Sequence, residues 1–216
     1  MDMEKTTERI VEFIKDIAKQ ARVNGVVIGI SGGIDSALVA KLCTMALGKE
    51  NVHGLYLPHG YHHDKDVLLI SEYLNITIIR NQIEIPCNKV GTMMRCSSDQ
   101  VYGNIKSRMR MIYLYAYANQ NNLLVAGTSN KSEIMVGYFT KYGDGGVDFE
   151  PIGDLYKTEV WELAKHLGLP QKIIDKVPSA ELWDGQTDEG ELGVSYKVLD
   201  KILSYIEAGN VTAEYI

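Results

Sequence analysis

Eleven residues, Val26-Val27-Ile28-Gly29-Ile30-Ser31-Gly32-Gly33-Ile34-Asp35-Ser36, constrain this chain more than any others. Val26 to Ile30 is a short apolar run, the pattern of a strand covered on both faces. A Ser-Gly-Gly turn and a helix start follow it. Glycines permit positive φ and leave room for an anion to approach the backbone. The start of a helix adds unpaired N–H groups and the positive end of its dipole. Ser31 and Ser36 add hydroxyls. Gly29, Ile30, Ser31, Gly32, Gly33, Ile34, Asp35 and Ser36 together read as a cradle for phosphate or pyrophosphate. The competing reading is a tight turn in which Asp35 merely complements the helix dipole. No GK[ST] follows, so this is not a Walker loop, and the spacing is not the dinucleotide GxGxxG.

The rest of the chain repeats the alternation of strand and helix. Ile10, Phe13, Ile14, Ile17, Ala18 and Ala21 have helical spacing over residues 4–22. Strands are expected at 26–30, 52–57, 76–79 and 123–126. Helices are expected at 37–47, 66–74, 100–121, from about 132, at 158–167 and at 195–206. This order implies right-handed crossovers and an α/β fold: a Rossmann-like parallel sheet flanked by helices on both faces. Ligands of such sheets bind at the carboxyl ends of the strands.

Composition removes several classes of function. The 216 residues carry a formal net charge of -6, which opposes a broad nucleic-acid surface but allows a local cationic pocket. No stretch approaches the roughly 20 apolar residues of a membrane span. Cys43, Cys87 and Cys96 contain no CxxC pair and read as thiols of a reducing compartment. The acidic start, with Asp2, Glu4 and Glu8, is unlike a signal peptide, so a cytoplasmic location is expected.

Ser31-Gly32-Gly33-Ile34-Asp35-Ser36 resembles the pyrophosphate loop of the N-type ATP pyrophosphatases. Gly103 to Met111, Ala126 to Glu133, Gly137 to Asp148, Pro151 to Lys157, Pro178-Ser179-Ala180 and Gln186 to Gly193 then match, in order, the motifs of one branch. The chain is identified by them as a member of the ammonia-dependent NAD synthetase family. That resemblance implies adenylation of the nicotinate carboxylate of deamido-NAD by ATP with Mg²⁺. Ammonia then displaces AMP to give NAD.

The resemblance also assigns residues. Asp35 and Glu133 match metal ligands, although Glu133, three residues after Asn130, also fits a capping box. Lys157 matches the lysine on the ATP phosphates; otherwise it is a solvated lysine at a helix start. Thr128 and Ser179 match ATP contacts, or are turn and cap residues. Arg108, Tyr115, Lys141 and Asp148 match the deamido-NAD site, with Tyr115 equally placed for a core. Asp144 is the candidate for delivering ammonia, or a plain turn aspartate.

His59, His62 and His63 read as a nucleotide-contact or solvated loop rather than a metal site. Tyr56 and His62 stand where the family's adenine loop often has arginine or glutamine. The acidic run from Asp184 to Glu191 reads as a lid or a solvated loop.

A single synthetase domain over residues 1–216 is expected, without a glutaminase and without the family's usual C-terminal segment. The family also implies a homodimer. Its interface strip would be the Tyr- and Met-rich helix 105–118, which equally suits a core. The expected partners are deamido-NAD, ATP and ammonia, with no nucleic acid and no membrane.

Overall fold

The computed structural model describes residues 2–60, 64–183 and 185–209. The apolar run becomes β1 (Gly25–Gly29), preceded by α1 (Met3–Ala21) and followed by α2 (Ile34–Leu47). Ile10, Ile14 and Ala18 recur every four residues and form the buried stripe of α1. Asp2 caps that helix by accepting from Lys5 N, and Arg22 ends it in the left-handed region at φ 56°.

The chain continues through β2 (Val52–Tyr56), α3 (Asp64–Leu74), β3 (Ile78–Arg80), α4 (Glu84–Met93), α5 (Asp99–Asn121) and β4 (Leu123–Ala126). After these come α6 (Lys131–Val136), α7 (Lys157–His166), α8 (Gln171–Ile174), α9 (Asp188–Leu192) and α10 (Tyr196–Glu207). The strands are parallel in the order β3-β2-β1-β4. β1 therefore lies between β2 and β4, and its turn opens at the middle of the sheet's carboxyl edge.

Side chains alternate between two cores, as a strand's period of two requires. Val26 and Ile28 join one core with residues of α1, α2 and α7. Val27, Leu55 and Val125 join the other, against α5. Helices on both faces match the expected fold class. Cys43, Cys87 and Cys96 are free thiols. Among the described residues no helix is long and apolar enough to cross a membrane.

Three differences from the sequence reading have local causes. The third strand begins at Ile78 rather than Ile76, because Asn75 takes a left-handed φ of 52° and Ile76 N bonds back to Ser71 O. Part of that apolar run thus ends α3 instead of joining the sheet. Helix α4 was not expected, since it contains Pro86 and Gly91. Pro86 falls in its first turn, where the missing N–H costs nothing. Gly91 gives room to the Tyr102 ring, which would lie 2.7 Å from any Cβ there. Finally, the second half of the acidic run is the short helix α9, capped by Thr187; Asp184 lies outside the described residues.

Candidate active site

A cavity of about 580 Å³ opens above β1, β2 and β4, within the range of small-molecule sites. Its floor is the Gly29–Ser36 turn. Gly32 alone in this turn has a positive φ, at 83°. A Cβ there would meet Asp66 at 3.1 Å and Val67 at 3.6 Å. The Ser36 hydroxyl donates to Gly33 O at 3.0 Å and accepts from Ser31 N at 3.3 Å. Ser36 is buried and holds the loop; Ser31 is exposed, its Oγ accepting from Gly33 N and lying 3.2 Å from Ser36 Oγ. Gly33 caps α2 without a side chain. The N–H groups of Ile34, Asp35 and Ser36 therefore lack helical acceptors and provide donors at a positive dipole end.

Lys157 enters from the first turn of α7. It is 1% exposed, which removes the solvated-lysine reading. Its Nζ lies 2.5 Å from Asp35 Oδ2 and 3.8 Å from Glu133 Oε1. Burial works to lower the pKa of this ammonium, but Asp35 and Glu133 hold it above its ordinary value. The rings of Tyr196 and Trp161 cover the same ammonium at 5.3 and 6.0 Å.

Glu133 forms the capping box with Asn130 through Oε2, while Oε1 faces Lys157. The two readings of Glu133 are compatible, because they use different oxygens. Burial holds its carboxyl well above the usual range, against the pull of Lys157. Asn130 Nδ2 also donates to Asp35 Oδ1 at 3.2 Å, so one asparagine orients both carboxylates. Asp188, at the start of α9, is buried beside them and accepts from the Tyr196 hydroxyl at 3.0 Å. Burial raises its pKa as well.

A backbone network fixes this cluster. Ser132 Oγ accepts from Lys157 N at 2.9 Å and donates to Asp200 Oδ1 at 2.5 Å. Asp200 Oδ2 accepts from Thr158 N at 2.8 Å. Asp200 of α10 thereby ties together the starts of α6 and α7, which carry Glu133 and Lys157.

On the α5 side, Asp144 Oδ1 accepts from Ser107 Oγ at 2.6 Å and from Thr140 N at 3.0 Å. Asp144 lines the cavity, as do Thr128 and Ser179. Ser179 also accepts from Glu181 N and donates to Gln186 O, so it has the turn role considered for it. Tyr56 and His59 line the cavity too. The His59 ring contacts the Tyr102 hydroxyl at 3.0 Å. His62 and His63 lie outside the described residues.

Arg108, Tyr115, Lys141 and Asp148 do not line the cavity; they form two pairs beside it. Arg108 Nε donates to Lys141 O at 3.2 Å. The Tyr115 hydroxyl donates to Asp148 Oδ1 at 3.0 Å, and Asp148 Oδ2 accepts from Val125 N. Arg108 and Tyr115 are seven residues apart on α5 and so share a face.

Among the lining residues that the sequence reading did not single out are Arg110, Lys176 and Asp188. Arg110 donates to Leu57 O at 3.1 Å. It lies inside the Gly103–Met111 stretch, which was the available signal. Asp188 lies in the acidic run that read as a lid or a solvated loop, with no single residue of it picked out. Nothing in the sequence distinguishes Lys176 from a surface lysine.

A model described as NAD synthase matches residues 6–216. A curated NH3-dependent NAD+ synthetase of Archaeoglobus fulgidus is 50% identical over 97% of this chain and 86% of its own. Among solved structures, an NH3-dependent NAD synthetase of Campylobacter jejuni is 37% identical with a TM-score of 0.84, covering 97% of this chain and 85% of that one. A structure titled NMN synthetase, from Francisella tularensis, is also 37% identical, with a TM-score of 0.88 over 99% and 89%.

Proposed function

The chain belongs to the NAD synthase family, and from that premise we propose that it is a ligase making NAD from deamido-NAD, ATP and ammonia. The observation that carries the reading is Lys157, buried between Asp35 and Glu133 at the mouth of a helix start whose N–H groups face a cavity.

A nicotinate carboxylate oxygen attacks the α phosphorus of ATP. The bond from that phosphorus to the bridging oxygen breaks, and pyrophosphate leaves. Both reactants are anions, so oriented donors and cations supply most of the acceleration. The Ser31–Ser36 turn binds the phosphates through N–H groups, and the Lys157 charge meets the phosphorus as its oxygens gather charge. Thr128 and Ser179 complete the ATP contacts.

Asp35 and Glu133 fit Mg²⁺, which favours one or two carboxylates completed by phosphate oxygens and water. The crowding of Asp35, Glu133 and Asp188 around a single lysine leaves an excess of negative charge for such a cation to offset. Bound there, it would neutralise phosphate charge.

Arg108, Tyr115, Lys141 and Asp148 hold the deamido-NAD beside the cavity. Asp144 holds ammonium and takes its proton. The freed ammonia attacks the acyl carbon, and AMP leaves as the carbon–oxygen bond breaks. A two-fold homodimer and a cytoplasmic location belong to the same reading. The half-exposed Ile112 and the exposed Arg108 face of α5 support the first.

The test is NAD formation by the purified chain with MgATP and deamido-NAD, comparing ammonium with glutamine as nitrogen source. One AMP per NAD, with ammonium alone effective, is the expected outcome. AMP release without NAD would overturn the reading. The likeness to an NMN synthetase makes the nicotinate mononucleotide the acceptor to run in parallel. A higher kcat/KM for it would move the substrate to the mononucleotide.

A further inference from the structure

A second lysine lines the cavity, away from the cluster around Lys157. Lys176 follows α8 and immediately precedes Val177-Pro178-Ser179. Its Nζ is 2.9 Å from Glu181 Oε1 and 3.5 Å from Asp66 Oδ2. It also lies 3.7 Å from the point where a Cβ on Gly32 would sit, so it stands against the phosphate turn. Lys157 flanks that turn at Asp35; Lys176 flanks it at Gly32.

The two lysines differ in what surrounds them. Lys157 is enclosed and bound to carboxylates that themselves belong to the cluster. Lys176 is one-fifth exposed in its side chain, and one of its partners has a second cation: Lys172 Nζ lies 2.6 Å from Asp66 Oδ1. Moving Lys176 away therefore leaves Asp66 paired. Release from Glu181 costs an ion pair, but a phosphate oxygen makes an equally strong charge-assisted contact. The triphosphate end of ATP also carries more charge than one committed lysine can balance.

We propose that Lys176 is the cation for the pyrophosphate end of ATP, held by Glu181 and Asp66 until the nucleotide arrives. This rests on the ATP-dependent reading above and extends it to the leaving group. Lys157 then serves the phosphorus under attack, and Lys176 the two phosphates that depart.

The experiment is calorimetric binding of pyrophosphate, AMP and α,β-methylene ATP, each with Mg²⁺, to the wild-type chain and to Lys176→Met, Lys176→Arg and Glu181→Gln. Lys176→Met should weaken pyrophosphate and the ATP analogue about tenfold, the loss of one charge-assisted contact, and leave AMP within about twofold. Lys176→Arg should recover most of the loss. Glu181→Gln should tighten pyrophosphate, because it removes the competing carboxylate.

Unchanged pyrophosphate affinity in Lys176→Met overturns the proposal. An equal loss of AMP affinity also overturns it, since that marks a merely structural lysine. Lys176-dependent pyrophosphate binding by a chain that forms no NAD would uphold this inference and sink the assigned reaction instead.

Discussion

Glu150 shows how closely single residues are fitted around the site. It sits at the edge of the β4 turn, where its Oε2 accepts from Ser129 N at 3.1 Å. Gly127 makes this possible, because a Cβ at that position would fall 2.2 Å from the same oxygen. Burial pushes the Glu150 carboxyl up to about 8, against the help of the Ser129 N–H. An acid whose folded pKa is raised binds more protons folded than unfolded. Its charge therefore destabilises the fold progressively as pH climbs from the unfolded value to the folded one. Between about pH 4.5 and 8 this group should lower stability by up to about 1.4 kcal/mol per pH unit. Glu150→Gln keeps an acceptor for Ser129 and removes the charge. It should match the wild type near pH 5 and melt at a higher temperature near pH 8, as read by calorimetry. A constant offset at both values would show that titration of Glu150 contributes nothing.

Among the elements, α10 does more than close the molecule. Its hydrophobic face buries Tyr196, Leu199 and Leu203. Asp200, on the same helix and 5% exposed, reaches Ser132 and Thr158 N. Those contacts fix the first turns of α6 and α7, hence the separation of Glu133 and Lys157. Asp200→Ala should destabilise the protein by about 1–3 kcal/mol, the cost of leaving buried donors unsatisfied. It should also lower kcat more than it raises KM for ATP, because the turn proposed to hold the phosphates sits at the start of α2. Urea unfolding and steady-state kinetics check the two parts. A variant of wild-type stability and kcat would mean that α10 is not coupled to the site.

For the whole molecule, the cavity gathers residues from the two sides of the sheet. Asp35, Glu133 and Lys157 come from helices α2, α6 and α7, whereas Ser107 and Arg110 come from α5 across the strands. A ligand filling it should brace both layers at once. Saturation with Mg²⁺ and α,β-methylene ATP at about 100 times its Kd should add about 2.7 kcal/mol to stability. Differential scanning calorimetry should show the whole transition moving up as one. A shift confined to part of the transition would mean that the two layers unfold independently.

Much of this was legible along the chain. The alternation of short apolar runs with helical periods determined a parallel α/β sheet, since those patterns follow from which faces must be buried. The Ser31–Ser36 turn was readable because its strand, glycines and helix start are contiguous in the chain. Order in the sequence does not say which separate segments meet. That Ser36 is buried in the loop while Ser31 is exposed depends on a hydroxyl finding Gly33 O. The burial of Lys157 required α7, α10 and Asn130 to converge, and an isolated lysine at a helix start reads as solvated. Asp188 lay in a run that read as a lid or a solvated loop, and only the fold shows it buried against Tyr196. Local pattern therefore determined the sheet and the glycine turn at its carboxyl edge. Tertiary packing alone decided which charges are enclosed together, because desolvation and pairing depend on distances between residues far apart in sequence.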